Sequence, residues 1–415
     1  MENKTQQKVN HIYYGWWIVF AGFIIVFGGV GAQSHMMNNF AEYARKLLGD
    51  TTSKIAIGIS IFAATAFISN IIAGPVIDKS GPRKLMFVGI PLASISILAL
   101  SFVINPTMFF LIWMLIGVGI NIGFTLPAQK AIANWFVKKR SFAFSIICMA
   151  TVLGPLVIKA GCDLIIPLLI WRGELIVLGV IMFVVIFPLV FVLRDKPEQL
   201  GLFQYGVTSD ENYFPNETNT CRPGEIDFTL KQVLKSRSFW LLACCLVLIH
   251  IGANIVQFNR ILFLVERGIA TINIRTEFDS TVWWGMLGIL AFGILGDKLP
   301  KRYLLAVVAL LKILSIIVLL IISKTEQIFF YNIVNGISYG IMPLGLAIVA
   351  DYFGRKRFAT IIVATMILKS IGIIFVSILT GLIRMPFYSM WLGMFFCLLA
   401  GIFFIFAKPP KLNFT

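Results

Sequence analysis

Twelve apolar runs, each close to the length of a bilayer span, decide what this chain can fold into. They occupy roughly residues 15–37, 55–77, 85–104, 108–133, 141–167, 174–193, 239–264, 280–297, 303–322, 327–352, 359–382 and 388–407. A transmembrane helix needs about 20 predominantly apolar residues, so the pattern predicts an all-α membrane protein with twelve transmembrane helices. Composition agrees, since 59% of the 415 residues are hydrophobic and only 13% are charged. Soluble domains carry about 25% charged residues. A soluble enzyme is thereby excluded, and so is a disordered chain, which needs low hydrophobicity.

The net charge of +16 would suggest nucleic acid on a soluble protein. Here it follows from cytoplasmic loops, which collect Lys and Arg. With the N-terminus inside, the inside segments hold 22 basic residues and the outside segments 8. Both termini are therefore expected in the cytoplasm, with the chain in the cell membrane. Cys148, Cys162, Cys244, Cys245 and Cys397 lie in apolar runs, where a thiol behaves as a small hydrophobe. Cys221 alone is in a polar stretch, and no CxxC spacing suggests a metal. Residues 1–10 lead straight into an apolar run, unlike a cleavable signal peptide before a soluble domain. No Walker A loop, H-E-x-x-H or nucleophile elbow is present. The expectation is no enzyme, no cofactor, no metal and no nucleic-acid partner.

The one long connection is polar and divides the chain into a bundle at 1–193, a cytoplasmic loop at 194–238 and a second bundle at 239–415. Asn216-Glu217-Thr218 matches a glycosylation sequon but falls in that inside loop, so it reads as chance. The two halves repeat each other. Gly74 and Asp78, followed by Gly81, Arg83 and Lys84, recur as Gly293 and Asp297, followed by Arg302, at an offset of 219. Gly119, Gly123, Trp135-Phe136 and Lys138-Lys139-Arg140 recur as Gly336, Gly340, Tyr352-Phe353 and Arg355-Lys356-Arg357 at an offset of 217. Two six-helix halves with a substrate site at their interface near the midplane are a transporter architecture.

Gly74-Pro75-Val76-Ile77-Asp78-Lys79-Ser80-Gly81-Pro82-Arg83-Lys84 is similar to the signature loop of the major facilitator superfamily. The resemblance implies two pseudo-symmetric six-helix bundles, the major facilitator fold, and a loop that serves conformational switching rather than substrate contact. Gly74 would let helices approach closely. Asp78, at a helix end, would accept bonds from a neighbouring helix N-terminus or an Arg. Gly81 and Pro82 make a tight turn, and Arg83 and Lys84 anchor the loop at the interface. Gly293, Asp297 and Arg302 form the second copy. Tyr13-Tyr14-Gly15-Trp16-Trp17, Asn134-Trp135-Phe136, Arg194-Asp195-Lys196-Pro197-Glu198-Gln199-Leu200-Gly201 and Ser236-Arg237-Ser238-Phe239-Trp240, in that order, resemble the bacterial monocarboxylate-porter and oxalate/formate-antiporter branch.

Intramembrane charges are expensive and are functional candidates by default. Lys369 lies 12 residues beyond Arg357, roughly 18 Å up its helix and near the midplane. It resembles the substrate-anion lysine of the oxalate/formate branch. Those relatives carry an Arg on the eighth helix where this chain has Ile289. One cation suits a monocarboxylate or zwitterion better than a dicarboxylate. Gln33, His35, Asn121, Asn254, Gln257, Arg260 and Tyr339 complete the candidate substrate-binding set. Lys159 and Asp163 share a helix face and read as a structural pair. Lys312 reads as snorkelling or packing on a peripheral helix.

The expected function is alternating-access transport of a small, monocarboxylate-like organic anion by a monomer in the lipid bilayer. Protons or a counter-transported anion are the possible coupled species. Asp163, Asp351 and Glu266 are the acids considered for proton coupling, and the eighth helix has none between Trp283 and Leu295. Exchange or facilitated transport is therefore expected over obligatory proton symport, with His35 the one proton-handling candidate. The alternatives are export of hydrophobic drug-like or sterol-like compounds, and a non-transporting membrane sensor on the same fold.

Overall fold

The computed structural model describes residues 13–48, 52–165, 171–206, 228–269, 280–382 and 386–410. Cys221, the Asn216–Thr218 sequon and the loop cations Lys4, Lys8, Arg222, Arg275, Arg384 and Lys411 lie outside the described residues.

Among the described residues, ten helices are long and apolar enough to cross a membrane and two shorter apolar helices accompany them. The first six are α1 (Gly15–Leu48), α2 (Thr52–Ser80), α3 (Pro82–Leu100), α4 (Pro106–Trp135), α5 (Arg140–Ile165) and α6 (Trp171–Phe191). The last six are α7 (Arg237–Glu266), α8 (Thr281–Gly296), α9 (Lys301–Ile321), α10 (Thr325–Phe353), α11 (Phe358–Leu382) and α12 (Pro386–Phe406). The expected all-α membrane architecture is present. Several helices run beyond the apolar runs, because polar ends such as 38–48 continue the α1 helix past the lipid-compatible stretch.

Local chemistry sets the helix boundaries. Asn105 caps α4, accepting from Met108 N–H at 2.8 Å, with Pro106 at the first helical position. Ser236 caps α7 through Phe239 N–H at 3.3 Å. Both long polar-lined helices are broken at equivalent places. α4 bends at Phe124, three residues before Pro127. α10 tightens to a 3-10 turn over Ser338–Gly340, just before Pro343. Each proline lacks the N–H that would bond one turn back. α6 passes through a π turn at Met182–Ile186 and a 3-10 segment containing Pro188.

Close packing within each half uses small residues, as expected where lipid removes the hydrophobic drive between helices. Gly119 of α4 lies against the Ala93 backbone of α3, and Gly252 of α7 against the Gly393 carbonyl of α12. Across the halves, α2 packs on α11 and α5 on α8, while α1 and α7 make no comparable contact.

One expectation about isolated charges needs correction, and another is narrowed. Lys159 and Asp163 are both exposed and form no ion pair among the described residues. Of the two readings of Lys312, packing is the one the structure shows: the side chain is buried, and donates to Asn335 Oδ1 at 2.6 Å. A buried acid was overlooked, since Glu174 at the start of α6 is in contact with His35.

Candidate functional site

Two groups of functional side chains occupy different levels. The first sits at the end of the bundle that carries the basic loops, here the basic end. Asp78, at the foot of α2, is fully buried there. Its carboxylate accepts from Thr360 N–H at 2.8 Å, Thr360 Oγ1 at 2.6 Å and Ala359 N–H at 3.2 Å, all in the first turn of α11. Lys130 of α4 donates to the same carboxylate at 2.5 Å and to the Lys356 carbonyl at 3.1 Å. Asp297, just past α8, repeats the arrangement. It accepts from Ser141 N–H at 2.8 Å and Phe142 N–H at 3.1 Å in the first turn of α5. Each half thus places an anion on the positive end of a helix in the other half.

The signature glycines make this approach possible. A Cβ at Gly74 would come within 3.0–3.2 Å of Val363 and the Thr360 backbone. One at Gly293 would meet Ser145 at 2.5 Å. Gly81 has φ +89°, and a side chain there would run into the Asp195 carboxylate, which accepts from Arg83 N–H at 2.8 Å. The Arg83 guanidinium bonds the Val190 carbonyl at 3.2 Å. Lys84 is exposed, and Arg302 bonds only its neighbour Tyr303 at 2.8 Å among the described residues. Arg140–Asp351 at 2.8 Å, Lys301–Asp351 at 2.6 Å and Arg355–Glu198 at 2.8 Å add ion pairs around the seam.

The motifs behind the narrower resemblance meet at the same end. Trp135 Nε1 donates to the Arg194 carbonyl at 2.9 Å, and Asn134 Nδ2 to the Asp195 carbonyl at 2.8 Å. Tyr14 OH bonds the Val192 carbonyl at 2.8 Å. Burial and the nearby Glu198 carboxylate push the Tyr13 phenol upward, keeping it a donor to the Phe203 carbonyl at 2.7 Å. These motifs build the closed basic end. They line neither of the two cavities described below.

The second group lies deeper. A cavity of about 190 Å³ between the halves is lined by Lys369 of α11, His250 of α7, Gln129 of α4 and Thr151 of α5, among others. His250 Nδ1 is 2.7 Å from the Leu246 carbonyl, so that nitrogen carries the proton and Nε2 is left as an acceptor. Gln129 is buried and its Oε1 has no hydrogen-bond partner among the described residues. A second cavity of about 230 Å³ shares Met342 with the first and is lined by Asn254, Gln257, Lys312, Asn335, Tyr331 and Tyr339. The Lys312 ammonium is 5.3 Å from the centre of the Tyr339 ring. Arg260 lies beside Tyr331 and Tyr339. Three cations therefore surround two adjoining cavities, all of them from the last six helices.

Of the expected substrate residues, Lys369, Asn254, Gln257 and Tyr339 line these cavities and Arg260 adjoins them. Gln33 is half-buried on α1 and lines neither. Asn121 is used in packing: it accepts from Asn70 at 3.2 Å and donates to the Gly117 carbonyl at 2.7 Å. His35 is 2% exposed, in contact with Glu174 and 2.9 Å from Asn39, away from both cavities. Ile289, where the resemblance suggests an arginine, is fully buried. Lys312 and Arg260 supply further positive charge from α9 and α7 instead. Sequence reasoning missed Gln129, His250 and Lys130. His250 is a lone polar residue and Gln129-Lys130 a polar pair in apolar runs, and that was the available signal.

The family model of the Major Facilitator Superfamily matches residues 13–327. A probable hexose phosphate transport protein of Chlamydia trachomatis (serovar D) is 25% identical over 61% of this chain and 58% of its own. The glycerol-3-phosphate transporter of Bacillus subtilis is 23% identical over 67% of this chain and 65% of its own. The chain thus spans less than two thirds of the length of these curated relatives. A crystal structure of the transporter FucP in the outward conformation superposes with a TM-score of 0.67 at 13% identity. It covers 94% of this chain and 99% of that one, a likeness of fold. These relatives are transport proteins rather than enzymes, and the monocarboxylate branch is not confirmed among them.

Proposed function

The chain belongs to the Major Facilitator Superfamily, and on that premise we propose that it is a secondary transporter of a small hydroxylated organic anion, of the phosphate-monoester class. The carrying observation is the grouping of Lys312, Lys369 and Arg260 about two adjoining cavities. A phosphate monoester is close to dianionic at neutral pH and has three acceptor oxygens, a better match to several cations than a single carboxylate is. The expectation of a monocarboxylate rested on the motif resemblance and on a single midplane cation, Lys369. The buried Lys312 and the neighbouring Arg260 remove the second of these premises.

The opposite wall of the central cavity offers the complement. Gln129 Oε1 is a buried acceptor with no partner among the described residues, and an unmade bond of this kind costs roughly 1–3 kcal/mol. A hydroxyl on the substrate would supply the donor. The anion would then dock on the last six helices and the hydroxyl on α4, so one substrate bridges both halves. The relatives named for hexose phosphate and glycerol 3-phosphate support this class.

In this reading the basic end is cytoplasmic, and the seam at Asp78 and Asp297 holds the cavity closed toward it. Substrate binding between the halves offsets the loss of that seam as the other state forms. The test is counterflow in proteoliposomes with labelled glycerol 3-phosphate, a hexose phosphate, lactate and oxalate. Exchange of the phosphate esters supports the reading. Exchange of lactate alone would return it to a monocarboxylate.

A further inference from the structure

Away from the seam and the cavities, three side chains from three helices converge among the first six. They are His35 of α1, Cys162 of α5 and Glu174 of α6, respectively 2%, 8% and 3% exposed. Glu174 Oε1 contacts His35 Nε2. The imidazole nitrogen, the thiol sulfur and a carboxylate oxygen all lie within 4.8 Å of one another. Asn39 Nδ2 is 2.9 Å from the same Nε2. The Tyr43 hydroxyl is buried close to Asn39, Cys162 and Glu174 and makes no well-formed hydrogen bond.

A His–Glu ion pair explains only part of this arrangement. The Cys162 thiol is within hydrogen-bonding reach of the same Glu174 carboxylate, and the ion pair gives no reason for a poorly satisfied hydroxyl beside it. A divalent ion does. Imidazole nitrogen, thiolate and carboxylate are the donor set of zinc, with bonds of about 2.0–2.3 Å. Calcium and magnesium require six or more, or octahedral, oxygen ligands and do not suit a sulfur. The charge also balances: one thiolate and one carboxylate neutralise a dication, while the imidazole binds neutral. Neutrality matters in a span, where uncompensated charge is expensive.

We propose that His35, Cys162 and Glu174 form a zinc site, with the fourth position beside Asn39 and Tyr43, and that the ion staples α1, α5 and α6 together. On binding, the Cys162 thiol and the His35 imidazolium of the ion pair each release a proton to solvent, and the resulting thiolate and the freed Nε2 take the metal. The staple leaves the basic-end seam untouched, since none of its residues contacts Asp78, Lys130 or Asp297.

The experiment uses the full chain, purified in detergent and stripped of metal. Zinc is titrated in and the protein desalted, and retained metal is measured per chain. Cobalt is used in parallel as a coloured probe. The site predicts one retained zinc, a rise in melting temperature, and a thiolate-to-cobalt charge-transfer band. Cys162→Ser removes the band and His35→Ala removes the retained zinc, while Cys397→Ser, which deletes a buried thiol elsewhere, keeps both. No stoichiometric zinc in the wild type, or a band unchanged in Cys162→Ser, overturns the site. Should Cys162→Ser fail to fold, a wild-type titration without the band overturns it equally.

Discussion

Asp78 and Thr360 come from opposite halves of the molecule, and the carboxylate of one caps the first turn of the helix that carries the other, at 2.8 Å to the N–H and 2.6 Å to the hydroxyl. Hydrogen bonds to a charged group contribute about 1.5–3 kcal/mol each, and Asp78 also neutralises Lys130 at 2.5 Å. Asp78→Asn should therefore destabilise the state closed at the basic end. The expected outcome is a maximal transport rate reduced at least about tenfold, the equivalent of 1.4 kcal/mol, with substrate affinity little changed. Faster amide exchange at Ala359 and Thr360 should accompany it. Lost affinity with an unchanged rate would place Asp78 in substrate binding instead.

Gly293 is a steric requirement rather than a flexible joint. Its missing Cβ leaves room for Ser145 of α5, which a side chain would meet at 2.5 Å. Gly293→Val should hold α8 away from α5 and break the Asp297 bonds to Ser141 and Phe142. The expected result is normal abundance in the membrane, rapid amide exchange at 141–142, and transport reduced at least about tenfold. Gly161, where an added methyl group would meet nothing within 4 Å, is the control, and Gly161→Ala should transport normally.

Much of the seam was legible in sequence. Repetition of Gly74 and Asp78 as Gly293 and Asp297 at one offset announced a symmetric device, and a carboxylate at a helix end announced a partner N-terminus. That the partner would lie in the other half was not written there. The cavity was far less legible. In the cavity Lys312 finds Asn335, 23 residues away, and outside it His35 likewise finds Glu174, 139 residues away. Such pairings depend on the rotation of each helix about its axis. Spans that are apolar around most of their circumference carry little periodicity to fix it, so a lone lysine reads equally as lipid-snorkelling or buried. The motifs that suggested a substrate branch are limited for a related reason: they lie at the basic end and line neither cavity.

Gln129 separates the two ends of the proposed substrate. Its Oε1 is buried without a partner among the described residues, so Gln129→Ala removes a prospective hydroxyl acceptor without breaking a bond that this oxygen makes. Affinity for glycerol 3-phosphate should fall several-fold, in line with a single neutral hydrogen bond of about 0.5–1.5 kcal/mol. Affinity for methyl phosphate, which lacks the hydroxyls, should not change. Binding isotherms for the two ligands on one preparation check this, and an equal loss for both would remove Gln129 from hydroxyl recognition.

The cations of the last six helices are proposed to bind a phosphate monoester, and direct binding tests that without the complications of turnover. Glycerol 3-phosphate and glycerol are titrated against the wild type, Lys312→Gln and Lys369→Gln, with folding verified for each. The prediction is saturable binding of glycerol 3-phosphate but not glycerol by the wild type, weakened at least about tenfold by either substitution, since each removes a charged hydrogen bond worth about 1.5–3 kcal/mol. Undiminished binding in both variants, or wild-type binding that does not distinguish the ester from glycerol, would contradict it.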